Sequence, residues 1–300
     1  MTWTPPPTVC VRRAWLTLGS LTVGLEGPGW FCPSLDLGYP DVRDVVSNRP
    51  DQDGIDDRTA YFGARTVTAQ IAALATAGAQ IDQVLTQFAP FMLPANRPTL
   101  HYVLDRPGAP ERTIKLRAAG FSGPIEGAYE RDIQLQWVAD DPAALDPVEK
   151  TVTAWAGSST QQGRTYNLTF NRVYPAGGGG PTIAALITVG DLPVRPRLRI
   201  YGPITAANVV VQAAGGVIGI VVKFLAGFVI AAGHYVEVST ANRTANLDGD
   251  PSQSVIASLD WYNSVWGVIP PNVTYYLSIS GGSTSGVTQA QAAWHDRFLN

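Results

Sequence analysis

Cysteine is nearly absent. Cys10 and Cys32 are the only two in 300 residues, and no CxxC spacing joins them. So few exclude a disulfide framework and point to a reducing compartment. Histidine is scarce too. His101, His234 and His295 stand far apart, and none sits in H-E-x-x-H or another zinc spacing. Charged residues make up only 15%, and the net charge is −3. That composition is too apolar for a disordered chain and offers no broad basic face to nucleic acid. Lysine occurs 3 times against 18 arginines, a bias we attribute to GC-rich coding. The opening MTWTPPPTVCVRRAW lacks the apolar run of a signal peptide. The Asn-x-Thr sequons at Asn167, Asn242 and Asn272 are therefore not read as glycosylation sites.

Catalytic motifs are missing as well. No G-x-S-x-G elbow occurs, because GGSTSG places Thr284 where the serine belongs. The run Gly177 to Gly180 precedes a strand pattern and lacks the Lys-Ser/Thr pair of a phosphate cradle. The stretch NRPDQDGIDDRT, Asn48 to Thr59, is rich in aspartate and raises the question of calcium. An EF-hand frame begun at Asp51 puts Ile55 at position five and Phe62 at twelve. A frame that brings Gly54 to position six must begin at Arg49, which cannot ligate a cation. The Asp-Gly dipeptide reads better as a turn, since both residues tolerate positive φ. No residue is assigned a catalytic, cofactor or metal role, and the chain is not read as an enzyme.

Hydrophobic residues reach 45%, and 30 glycines and 23 prolines punctuate them. This is the make-up of many short strands and turns around a substantial core. Ala14 to Leu25 and Thr59 to Leu74 read as strands, with Val67, Ala69 and Ile71 on one face. One helix is predicted over Ala79–Met92, where Ile81, Val84, Leu85 and Phe88 recur at three and four. Strands follow at 99–106, 111–123 and 131–140, the last alternating Ile133, Leu135 and Trp137 with polar residues. Asp140 to Lys150 breaks the pattern, so the expected domains are residues 1–145 and 146–300. The second half reads as all-β, including a predicted strand over 164–173, and fits a sandwich or jelly roll. Its run Val209 to Ala232 is long enough to span a bilayer. Four glycines, a central Lys223 and many β-branched residues favour buried strands instead.

The order of these motifs resembles the siphophage distal tail protein family. Asp57, Thr59, Gly63, Arg65, Thr66 and Val67 match its D-x-T-x-x-x-G-x-R strand, and the helix follows in place. Gln136 to Pro142 resembles the close of its first domain. Gly177 to Pro181, Ala231 to Asp250, Ser264 to Ser280 and the closing AAWHDRFL resemble its second. Ser239-Thr240 stand in place of the family's Asp-Thr, and Pro271 replaces a usual glycine.

The resemblance implies a mainly β protein: a ring-forming, β-barrel-like first domain with one helix, then a galectin-like β-sandwich. It implies a structural virion protein, a baseplate component whose ring, usually a hexamer, joins the tail tube to the tip that attaches to the host. The expected partners are other copies of itself, the tail tube protein, the tape-measure protein and the tail-tip hub protein. No nucleic-acid sequence recognition, membrane span or cofactor is expected. The location is the distal end of the virion tail, after synthesis in the host cytoplasm. The galectin sugar signature H-x-N-x-R is absent, since His234 is followed by Tyr-Val-Glu-Val. The alternative is a carbohydrate-binding protein that uses the second-half aromatics Trp155, Trp261, Trp266, Trp294, Tyr262, Tyr275 and Tyr276.

Overall fold

The computed structural model describes residues 11–43, 46–48, 55–57, 61–74, 84–126, 130–156, 182–282, 284 and 287–299. Several sequence features lie outside these residues: Cys10, Asp51, Asp53, Arg58, Thr59, the strand predicted over 164–173 and the glycine run at 177–180. The chain divides into two compact units, Met1–Pro147 with Leu299–Asn300, and Val148–Phe298.

In the first unit the strands are β1 (Val11–Leu18), β2 (Leu21–Gly24), β3 (Trp30–Asp36), β4 (Val42–Arg43), β5 (Val46–Asn48), β6 (Ile55–Asp57) and β7 (Tyr61–Phe62). They continue as β8 (Arg65–Leu74), β9 (Thr99–Leu104), β10 (Glu111–Lys115), β11 (Arg117–Glu126), β12 (Glu130–Ala139) and β13 (Ala144–Leu145). One sheet runs β2-β1-β9-β10-β13 and a second runs β11-β12-β8-β3; β4 pairs with β7 and β5 with β6. Among the described strands these sheets are open, and no closed barrel forms.

Side chains of a strand alternate between its faces, so one apolar set per strand suffices to build a core. Val67, Ala69 and Ile71 of β8 are buried, and so are Ile133, Leu135 and Trp137 of β12. The register pairs them directly: Val67 with Trp137, Ala69 with Leu135, Ile71 with Ile133. The predicted helix is helical over 84–88 and tightens into a 3-10 turn at Ala89–Met92; residues 79–83 lie outside the description. Its buried Phe88 meets Trp30 edge to face at 6.4 Å, and the Trp137 indole N–H donates to the Phe91 carbonyl at 3.2 Å.

The second unit comprises β14 (Lys150–Trp155), β15 (Ala184–Ile187), β16 (Arg197–Tyr201), β17 (Ile204–Ala213), β18 (Ile218–Lys223) and β19 (Val229–Ile230). It goes on with β20 (Tyr235–Ser239), β21 (Thr244–Leu247), β22 (Val265–Trp266), β23 (Thr274–Gly282), β24 (Gln289–Trp294) and β25 (Arg297–Phe298). Two antiparallel sheets form, β14-β24-β16-β20-β21 and β15-β23-β17-β18-β22, with β19 added to β17. Both send one face into a single core. Leu198, Ile200, Val236 and Val238 enter from the first sheet; Val209, Val211, Ile220 and Leu277 enter from the second. Each such side chain contributes roughly 1.5–3 kcal/mol on burial, and the result is a β-sandwich.

The apolar run 209–232 is strand, not a membrane helix. It supplies the end of β17, then β18 and β19, and Gly215 and Gly216 take positive φ in the turn between β17 and β18. Lys223 ends β18 at the surface beside Asp260, 3.5 Å away. No helix among the described residues is long and apolar enough to cross a membrane.

Glycine is required where β22 meets β18. A Cβ on Gly267 would fall 1.9 Å from the Gly219 carbonyl oxygen, whereas one on Gly227 would meet nothing within 4 Å. Gly267→Ala is therefore expected to lose at least about 2 kcal/mol of stability, and Gly227→Ala less than about 0.5 kcal/mol. Denaturant titration of the two variants decides the matter. Indistinguishable midpoints would remove this close approach as a constraint on the fold.

Candidate functional site

The three histidines are not brought together. His101 lies on β9 between Trp15 and Thr113, its register partners on β1 and β10. The Trp15 ring stacks on it at 5.2 Å. Its Nδ1 is 2.7 Å from Glu111 Oε1 and its Nε2 is 3.0 Å from Thr17 Oγ1. Hydroxyl, imidazole and carboxylate thus stand in relay order, but as a ladder across an open sheet. The cleft of about 220 Å³ in this unit is lined by β1 and β3 residues that include none of the three. His234 pairs with Asp248 at 2.7 Å in the second unit. Among the described residues no three His, Cys, Asp or Glu side chains gather as a metal site.

Cys32 lines that cleft, with its thiol donating to the Ser34 carbonyl at 3.3 Å. Burial pushes its pKa up to about 11: the thiolate's lost solvation and the nearby Glu26 charge outweigh the backbone hydrogen bonds at Ser34 and Gln70 that favour it.

Arg65 opens β8 and is fully buried. One terminal nitrogen donates to the Leu299 carbonyl, while Nε and Nη1 have no hydrogen-bond partner among the described residues. The Tyr102 hydroxyl interacts with the guanidinium without reaching full hydrogen-bond geometry. Burial pulls the Arg65 pKa below its ordinary range and, through the same desolvation, raises that of Tyr102. The residue that stood out in the motif is thus an internal tie that holds the last residues of the chain to the first unit, not an exposed recognition group.

The closing AAWHDRFL has a similar structural role. Asp296 is buried; it accepts the Val189 N–H at 3.1 Å and the Trp294 indole N–H at 3.2 Å, and it pairs with the Lys150 ammonium. Three donors around one buried carboxylate make a node that single-partner removal breaks at a cost of about 3 kcal/mol. The motif AAWHDRFL contains Asp296, but the sequence did not show its role as a node, because two of its three partners lie 107 and 146 residues away.

Some exposed apolar side chains sit on edge strands. In the sheet β11-β12-β8-β3, the outer strands β11 and β3 carry Phe121 (50% exposed) and Phe31 (38%). Each outer strand also holds a proline, Pro124 and Pro33, at a register shift. Proline and bulges on edge strands block indiscriminate pairing. The second-half aromatics separate. Trp294 and Tyr275 are buried, whereas Trp155, Trp261 and Tyr262 are exposed. Trp261 leans on Trp266 at 5.7 Å.

Among solved structures the chain matches SPP1 Dit, described as a paradigm of the hub adsorption apparatus of phages that infect Gram-positive bacteria. The TM-score is 0.62 at 13% identity, over 95% of this chain and 99% of that one. A chain of the phage P2 baseplate, in its activated conformation with calcium, matches with a TM-score of 0.50 at 11% identity, over 95% of this chain and 98% of that one. At such identities the likeness is one of fold. No family model and no curated protein matches by sequence.

The Cys32 environment can be tested directly. A two-unit rise from 9.0 to about 11 lowers the thiolate fraction at pH 8 by about 100-fold. In a Cys10→Ser background, Cys32 is expected to react with a disulfide reagent about tenfold more slowly than a free thiol, since the greater nucleophilicity of the more basic thiolate offsets part of the lost population, and at the free rate once unfolded. Native reaction at the free rate would overturn the burial argument.

Proposed function

We propose that this protein is a structural virion component, a distal tail protein whose copies close into a ring at the end of a siphophage tail. The ring is a hexamer in this reading. It joins the tail tube protein, with the tape-measure protein inside, to the tail-tip hub protein and the host-attachment apparatus. The second unit is the galectin-like domain projecting from it. The reading requires no catalytic step and no cofactor.

The observation that carries it is the pair of outer strands β3 and β11 in one sheet, each free of a further strand among the described residues and each presenting an exposed phenylalanine. Two different sticky edges on one unit suit a head-to-tail contact, and such a contact closes into a ring when the rotation per copy fits. Prolines and bulges on both edges direct that contact toward side-chain packing rather than an extended backbone ladder. The fold likeness to SPP1 Dit supports the same reading.

Native mass measurement and negative-stain microscopy of the purified chain test it. A closed ring is expected, and Phe121→Asp or Phe31→Asp is expected to shift it to monomer with unfolding unchanged. A chain that stays strictly monomeric at the highest soluble concentration, with no ring in virions, would sink the proposal.

A further inference from the structure

The sheet β14-β24-β16-β20-β21 has an inner face in the core and an outer face in solvent. Alternation assigns its residues cleanly. Ala154, Ala290, Ile200 and Val236 point inward and are fully buried. Their neighbours point outward, and the register sets them in rows. Trp155 lies opposite Gln289, Gln289 opposite Tyr201, and Tyr201 opposite Tyr235. In the adjacent row Gln291 lies opposite Arg199, Arg199 opposite Glu237, and Glu237 opposite Asn246.

The composition of this face is unusual for a solvated sheet. Apart from Thr153, which lies opposite Gln291 at the β14 end of the second row, every side chain in the two rows carries a planar group: indole, phenol, amide, guanidinium or carboxylate. Several are held in place. The Tyr201 and Tyr235 rings are 5.4 Å apart, and the Arg199 guanidinium lies 5.6 Å from the Tyr235 ring centroid. Arg199 Nε donates to Glu237 Oε2 at 2.8 Å, and the Tyr235 hydroxyl donates to the Asp248 carbonyl at 2.9 Å. They remain accessible: Trp155 is 40% exposed, and the Arg199 side chain is 33% exposed. Orienting the groups in advance lowers the entropy cost of binding.

We infer that this outer face is a binding surface for a neutral saccharide chain. Trp155 and the two tyrosines offer ring faces for the apolar C–H side of a sugar. Gln289, Gln291, Arg199 and Glu237 offer paired donors and acceptors for neighbouring hydroxyls. Charge narrows the class of ligand. Arg197 pairs with Glu149 at 2.8 Å and Arg199 with Glu237 at 2.8 Å, so the two cations are matched by two carboxylates; the Asp248 carboxylate at the end of the first row is held by the Tyr235 N–H at 3.0 Å and by His234 at 2.7 Å, and no unmatched cation is left for an anionic partner. The other exposed aromatics are less suited. Trp261 lies outside the strands and leans on Trp266 at 5.7 Å, so no ladder register sets rows of polar groups beside it.

This inference stands apart from the ring reading and is tested apart from it. The full-length protein is applied to an array of neutral hexose and N-acetylhexosamine oligosaccharides, and the best one is titrated calorimetrically. Binding is expected, weakened at least about tenfold by Trp155→Ala and by Arg199→Met and unchanged by Trp261→Ala, where tenfold corresponds to about 1.4 kcal/mol. Trp155→Phe, which keeps a ring face, is expected to retain part of the affinity. Matching thermal unfolding and particle mass in all variants separate lost binding from lost folding or lost assembly. Failure of every neutral glycan to bind, or binding lost only with Trp261→Ala, would overturn the inference while leaving the ring untouched.

Discussion

One buried carboxylate organises the second unit. Asp296 draws the Lys150 ammonium at the start of β14, the Trp294 indole at the end of β24 and the Val189 amide just past β15. The first two belong to one sheet and the third follows a strand of the other. A charge taken out of water requires such partners, and their geometry in turn ties the start of β14 to the ends of β24 and β15. The β14–β24 register runs directly from this node: Lys150 opposite Trp294 at one end, Trp155 opposite Gln289 at the other. The aromatic and amide rows of the outer face inherit their alignment from it.

The first unit is ordered by a different economy. Its two central strands, β8 and β12, carry short apolar alternations that meet residue for residue, and the helical segment is locked to them by Trp137 and Phe91. Arg65 at the head of β8 adds a cation that is only partly satisfied. Such a group is costly unless the surroundings over-determine it. Here it accompanies the return of the last residues to the first unit.

Local pattern was legible in the sequence; distant pairing was not. Val67, Ala69 and Ile71, and Ile133, Leu135 and Trp137, could be placed on buried faces because period two is written in adjacent residues. The run 209–232 could be read as strands because glycines and Lys223 contradict a membrane helix. The closing strand was foreseen, but it is two strands, with the Asp296 node between β24 and β25. Arg65 stood out as part of a motif, yet its burial depends on Tyr102 and Leu299, far away in the chain. The candidate saccharide face shows the same limit. Trp155 was noticed as an aromatic, while Gln289, Tyr201, Arg199 and Glu237 carried no signal. Only the ladder sets them beside it, and a single sequence does not record which strands are neighbours.

The prolines in β3 and β11 have a further consequence. A sheet with two bare edges is a template for growth without end, since each added copy presents the same edge again. Interrupting both edges with a residue that lacks an N–H removes the option of sliding one register and continuing. Only a contact of defined shape then remains favourable, and defined shape sets the angle between successive copies. In the ring proposed above, these two imino acids favour a closed count over a fibre.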